Sequence, residues 1–151
     1  MPRFVKQPHE NTCGPTAVIN AAKWAGVDLS IKHDYKWLMG LCETDLQVGT
    51  YPHGIERGLR LTIGICGVKV TRKRLGFGSI RNLEKHLDNG GAIVACTIDH
   101  VFLITDQTDK MFVVQNYSDG NATRRIRKTT ALTQLDWANI WFLKWRKNYG
   151  I

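Results

Sequence analysis

Residues 92–116 read AIVACTIDHVFLITDQTDKMFVVQN, and this stretch decides the fold. Ala92–Ile98, Val101–Thr105 and Met111–Gln115 are short apolar or alternating runs bounded by turn-forming residues, the pattern of β-strands. The polar segment Asp106–Lys110 joins the last two as a hairpin. Centred on Thr108, that hairpin sets Thr105 opposite Met111 and His100 opposite Asn116. Opposed residues share one side of a sheet, with Cβ atoms about 5 Å apart. A slip of one residue would send them to opposite faces.

Upstream of the strands the apolar period changes. In NTCGPTAVINAAKWAG, Ala17, Val18, Ala21, Ala22 and Ala25 recur at helical spacing over Thr12 to Ala25. Asn11 or Thr12 can cap this helix, Pro15 sits in its first turn, and Gly26 closes it. A second helix is expected over His53 to Leu61 after the Gly49–Pro52 turn, and a short strand at Val68 to Val70. Ser79 to Asp88 reads as a third helix with Ser79 as cap, Ile80, Leu83 and Leu87 on one face, and Asn89-Gly90-Gly91 as terminator. Ile140–Trp145 contains IWFL, apolar on all sides, and reads as a buried strand. Helices followed by antiparallel strands predict an α+β domain. No linker, repeat or low-complexity tract divides the chain, so residues 1–151 are expected to form one domain.

The composition agrees. At 43% hydrophobic and 23% charged residues, wholesale disorder is excluded. The longest apolar runs are far too short for a membrane-spanning helix, and MPRFVKQPHE lacks the apolar core of a secretory signal. A cytoplasmic location follows as an expectation, and a phage or bacterial origin is compatible with it. The four cysteines (Cys13, Cys42, Cys66 and Cys96) form no CxxC pair and are expected to be free thiols.

One of those thiols stands where chemistry is favoured. Cys13 falls in the first turn of the first helix, where unpaired N–H groups and the helix dipole favour thiolate over thiol. The ordinary alternative is a small buried residue. The expected hairpin adds a partner. His100 and Asn116 on one side of a sheet can make an imidazole-to-amide hydrogen bond that fixes the tautomer and leaves the other ring nitrogen for a thiol. Gln7, six residues before Cys13, can donate to an oxyanion beside the Cys13 N–H if the chain folds back over the helix start. His9, His33, His53 and His86 have no partner at a recognisable spacing.

Gln7, the NTCGPTA segment around Cys13, His100 and Asn116 follow the Gln, Cys, His, Asn/Asp order of papain-like cysteine peptidases. More narrowly, the chain resembles the bacteriocin-leader peptidase family. The likeness extends through GTYPHGIERGL (residues 49–59), SIRNLEKHLDNGGAIVA before the central strands, and His100 followed by VFLI. It implies a papain-like fold and a peptidase with Cys13, His100, Asn116 and Gln7 as catalytic residues. Acyl transfer would run through a thioester, on a polypeptide substrate, with no metal or organic cofactor. The chain departs from the family at two places: Asn116 stands where Asp is common, and Asp99 where Gly precedes the His. Asp99 or Asp119 can supply part of the missing charge. Nothing in the sequence resembles the transporter domains to which such peptidases are often fused, so cleavage after a double glycine is not implied.

The net charge of +8 comes largely from Lys69–Arg74, Arg124–Lys128 and Lys144–Lys147. Any one run can be a solvated strand face; together they predict attraction to an acidic partner. No nucleic-acid-binding signature accompanies them. A second class of function is therefore a catalytically silent papain-fold module that binds through its basic surface.

Overall fold

The computed structural model describes residues 3–117 and 121–146. Three helices come first: α1 (Cys13–Ala25), α2 (Ile31–Leu41) and α3 (Pro52–Thr62). A 3-10 turn at Gly64–Cys66 leads into β1 (Val68–Lys73), followed by α4 (Ile80–Asp88). Strands β2 (Ala92–Cys96), β3 (Val101–Gln107), β4 (Met111–Gln115) and β5 (Thr123–Arg127) come next, then α5 (Lys128–Gln134) and β6 (Ile140–Trp145). The strands form one antiparallel sheet in the order β1-β6-β2-β3-β4-β5. The fold is α+β, as the change of period implies.

Alternation along the strands divides the core in two. Val68, Val94, Leu103 and Trp141 face α1 and α3, while Ile93, Phe102, Ile104 and Phe112 face Leu83 of α4 and Ala131 of α5. Helix α1 is buried along nearly its whole length; Val18 and Ile19 are inaccessible to solvent, each contributing about 1.5–3 kcal/mol by burial. Gly26 ends it in the left-handed conformation, at φ 75°.

The β3–β4 hairpin departs from the expected pairing. Leu103 lies opposite Gln115 and Ile104 opposite Val114, two residues from the register centred on Thr108. Strand β3 runs on to Gln107, and the turn closes with the Thr108 N–H on the Met111 carbonyl at 2.8 Å. A bulge between Ile104 and Asp106 absorbs one residue. The bulge decides which way the site end of β3 faces. Continuing the turn's register without it would carry Phe102 to the α1 side. The ladder ends at Leu103 and Gln115, and Asn116 lies beyond β4, so His100 and Asn116 are not directly opposed.

Four further expectations are corrected. Ser79 precedes α4 but makes no side-chain cap; its hydroxyl donates to the Gly76 carbonyl at 2.6 Å. Thr12 stands at the N-cap of α1, yet its hydroxyl donates to the His9 carbonyl. Strand β1 extends three residues beyond Val70 because it pairs with β6 along its full length. Helix α2, strand β5 and helix α5 were not anticipated. Among the described residues all four cysteines are free, and no helix is long and apolar enough to cross a membrane.

Candidate active site

Cys13 is the first residue of α1, and its surroundings explain the CGP sequence. Asn11 adopts φ 60° and donates from its side-chain amide to the Leu46 and Gln47 carbonyls at 3.0 and 3.1 Å. This ties the helix start to the Asp45–Gly49 turn. A Cβ at position 14 would collide with the Thr50 side chain, so only glycine allows the loop this close. Cys13 is 7% exposed.

The environment of the sulfur is mixed. Burial pushes the Cys13 thiol above its ordinary range, and nearby Asp99 pushes the same way. The backbone N–H groups of Val101, Cys13 and Gly14 approach the sulfur and oppose the shift without cancelling it. The helix start therefore does not by itself make a thiolate: desolvation outweighs the N–H groups.

His100 ends the turn between β2 and β3, where the Thr97 N–H donates to its carbonyl at 2.8 Å. Its Nε2 is hydrogen-bonded to the backbone carbonyl of Asn116. A carbonyl only accepts, so Nε2 carries the proton and the neutral ring keeps its lone pair on Nδ1. The ring also stacks on Phe102, centroids 6.3 Å apart.

The Asn116 side chain is elsewhere. Its Oδ1 accepts from the Gln7 backbone N–H at 3.0 Å, and its Nδ2 donates to Gln7 Oε1 at 2.9 Å. The expected amide-to-imidazole bond is thus replaced by a carbonyl-to-imidazole bond. Asn116 adopts φ 62°, beyond the end of β4, which frees its carbonyl for His100 and its amide for Gln7. Gln7 donates its own amide to the His9 carbonyl at 3.0 Å. The strap carrying it is gripped once more, where Asn20 of α1 bonds the Val5 N–H at 2.9 Å and the Val5 carbonyl at 3.0 Å.

These residues divide between two adjoining cavities. Cys13 and His100 line one of about 240 Å³, together with Cys96, Asp136 and Asn139. Its rim carries Val48, Tyr51 and Ile98, all exposed, Ile98 almost completely (99%). Gln7 and Asn116 line a second cavity of about 640 Å³, walled by residues 6–11. His100 belongs to both. The structure therefore brings Cys13 to His100, and His100 to Asn116 and Gln7, but Gln7 and Cys13 share no cavity wall. Asp119 lies outside the described residues. The Val101 amide was not foreseen; it follows His100 directly, so one strand start delivers both groups. Among the described residues no cluster of three or more His, Cys, Asp or Glu is gathered for a metal ion.

A buried helix-start cysteine that shares a cavity with a histidine from the β2–β3 turn fits the papain-like cysteine peptidase fold. Comparison with solved structures makes the likeness specific. The peptidase domain of Streptococcus ComA, a bi-functional ABC transporter involved in quorum sensing, superposes with a TM-score of 0.70 at 17% identity, covering 97% of this chain and 100% of that one. A double glycine motif protease from an AMS/PCAT transporter, solved with its leader peptide, gives a TM-score of 0.70 at 12% identity, with 97% and 93% covered. The N-terminal peptidase C39-like domain of a Vibrio parahaemolyticus toxin secretion ATP-binding protein gives 0.58 at 15%, with 89% and 98% covered. No protein-family model and no curated protein matches the sequence. The chain has the fold of the C39 peptidase domains.

Proposed function

We propose that this chain is a cysteine peptidase hydrolysing a peptide or isopeptide bond in a polypeptide substrate, with Cys13 as nucleophile and His100 as general base and acid. The observation that carries this reading is the shared cleft: a helix-start thiol and an imidazole whose Nε2 is already committed to a carbonyl, leaving Nδ1 free to accept a proton. The likeness to a protease solved with its leader peptide supports a polypeptide as substrate class.

The chemistry follows from the groups present. Nδ1 of His100 takes the Cys13 proton as the sulfur attacks the scissile carbonyl, so the raised thiol pKa is met by base assistance rather than by a resting ion pair. Charge developing on the carbonyl oxygen meets the N–H groups around the sulfur, and Gln7 joins them if its amide leaves the His9 carbonyl. The imidazolium then protonates the leaving amine, and water, activated by the same nitrogen, hydrolyses the thioester. The Asn116 carbonyl keeps Nε2 protonated throughout. The exposed Val48, Tyr51 and Ile98 at the rim suit a segment with apolar residues next to the cleaved bond.

The test is cleavage of a peptide library followed by mass spectrometry. The expected result is cleavage at a restricted set of bonds, lost in both Cys13→Ala and His100→Ala. Cleavage that survives either substitution overturns the assignment. Two observations favour the second reading, a silent binding module: the Gln7 amide is held by the His9 carbonyl and by Asn116, and the thiol is deeply buried. Iodoacetamide labelling of Cys13 no faster than that of exposed Cys66, with no cleavage, would establish it.

A further inference from the structure

The basic runs do not form three separate patches. Lys69–Arg74 and Lys144–Lys147 lie on neighbouring antiparallel strands, β1 and β6, whereas Arg124–Lys128 begins on β5 at the opposite edge of the sheet. Lys147 lies outside the described residues. Lys69 is directly opposite Lys144, an unfavourable like-charge pair. Lys73 shares their face, its ammonium 5.7 Å from the centre of the Phe142 ring. Lys69, Lys73 and Lys144 are exposed, and among the described residues none makes an ion pair. Beyond the ring contact of Lys73, these three lysines have no ion-pair partner among the described residues to offset their repulsion.

The same strand presents a free edge. Strand β1 ends the sheet, and among the described residues no strand pairs with its outer side. The bond from the Arg146 N–H to the Gly67 carbonyl, 2.9 Å, sets the phase of the β1–β6 ladder. Lys69, Thr71 and Lys73 therefore turn their N–H and C=O groups toward β6, while Val70 and Arg72 turn theirs outward. Below that edge, Val68, Val70, Arg60 and Ile65 line a cavity of about 210 Å³, with Ile65 largely exposed.

We propose that the outer edge of β1 takes an extended acidic peptide as a seventh strand. Its carboxylates at alternate positions lie beside Lys69 and Lys73, and the apolar residues between them lie over Val68 and Val70. Lys69 and Lys73 are about 13 Å apart along the strand, the spacing of residues four apart in an extended partner. Charge selects the occupant. A second copy of this chain would bring the same lysines against each other, whereas an acidic strand relieves the Lys69–Lys144 repulsion. Main-chain pairing supplies affinity and the alternating pattern supplies specificity.

Arg72 at this edge bonds Asn139 on the wall of the Cys13 cleft, so binding is read directly, without cleavage, and its failure is distinguishable from failure of the peptidase reading. A fluorescent peptide of alternating Glu and Val is titrated into the full chain carrying Cys13→Ala, with amide exchange read by NMR. Expected are saturable binding, slowed exchange at Val70 and Arg72, and a loss of about tenfold or more in affinity in the double variant Lys69→Glu, Lys73→Glu. N-methylation of the peptide on its pairing edge abolishes binding. Absence of saturation at about 1 mM overturns the proposal and leaves the lysines as guards against edge pairing. Equal binding of the N-methylated peptide, or of an oligonucleotide without protection at Val70, overturns it in favour of non-specific charge. Self-association through β1 overturns it as well.

Discussion

The side chains of Asn116 and Gln7 are joined, amide to amide, at 2.9 Å, and Asn116 also holds the Gln7 main chain at 3.0 Å. Asn116 is thus the point where the strap bearing Gln7 meets the strand end bearing the carbonyl that holds His100. Its side chain and its main chain serve different partners, and the two can be separated by substitution.

Asn116→Gly keeps the carbonyl that orients His100, suits φ 62°, and removes the grip on Gln7. We expect kcat to fall by about tenfold, well short of the 10²–10⁴-fold loss typical when a general base is removed, as in His100→Ala. Asn116→Ala should fall as far in kcat but also lose about 1 kcal/mol of stability, because an alanine at positive φ is strained. Gln7→Ala in the Asn116→Gly background should add little if the two act as one unit, which a double-mutant cycle measures. Additive losses would separate them.

Alkylation of Cys13 as a function of pH reads its resting state. Burial raises its pKa, so the thiol is neutral near pH 7 and the rate with iodoacetamide should climb through the alkaline range. The midpoint should lie above that of an ordinary thiol, about 8.5. A plateau reached below neutrality would instead reveal a standing thiolate–imidazolium pair.

Two other buried thiols bear on stability. Burial pushes Cys42 and Cys96 up to about 12, from 9.0. The folded chain therefore holds these protons where the unfolded chain releases them, so the stability they contribute is present below pH 9 and declines as pH rises from about 9 toward 12. Thermal melts should show Tm falling across that window. Cys42→Ala should make the decline shallower while lowering Tm at neutral pH through the cavity it leaves.

Helix α3 approaches Cys42 so closely that a Cβ on Gly58 would meet its sulfur. Gly58→Ala should cost about 1–3 kcal/mol in urea denaturation, the range for overpacking. Adding Cys42→Ala should recover part of that loss, since the colliding atom is gone. No recovery would mean that Val18, whose Cγ2 lies 3.1 Å from that Cβ, and not the thiol, sets the limit.

Much of this architecture can be read from periodicity. Helix α1 and strands β2 to β4 have apolar residues at one clear spacing because each is buried against the rest of the chain. Helix α2 carries a weak apolar period because only Leu38 is buried in it. Its signal was present in Ser30, which accepts from the His33 N–H, and in Asp34, which accepts from the Ser30 N–H. Strand β5, TRRIR, buries Ile126 alone, and its arginines read as charge rather than as an edge strand. For the candidate site, residue order pointed to Cys13 and His100, which the fold brings to one cleft. The exchange of partners at Asn116 was illegible, because it depends on a left-handed residue and a bulge that are set by contacts distant in sequence. The rise in the Cys13 pKa was equally hidden, since burial outweighs the local effect of the helix start.

The bulge between Ile104 and Asp106 imposes a counting rule on descent. A single deletion there would turn over the first half of β3, carrying Phe102 from the α4 face to the α1 face and shifting His100 with it. Functional homologues should therefore tolerate length changes in this hairpin only two residues at a time, or as compensated pairs across the turn. A lineage that breaks this rule would be expected to have lost the histidine's placement, whatever residues it retains.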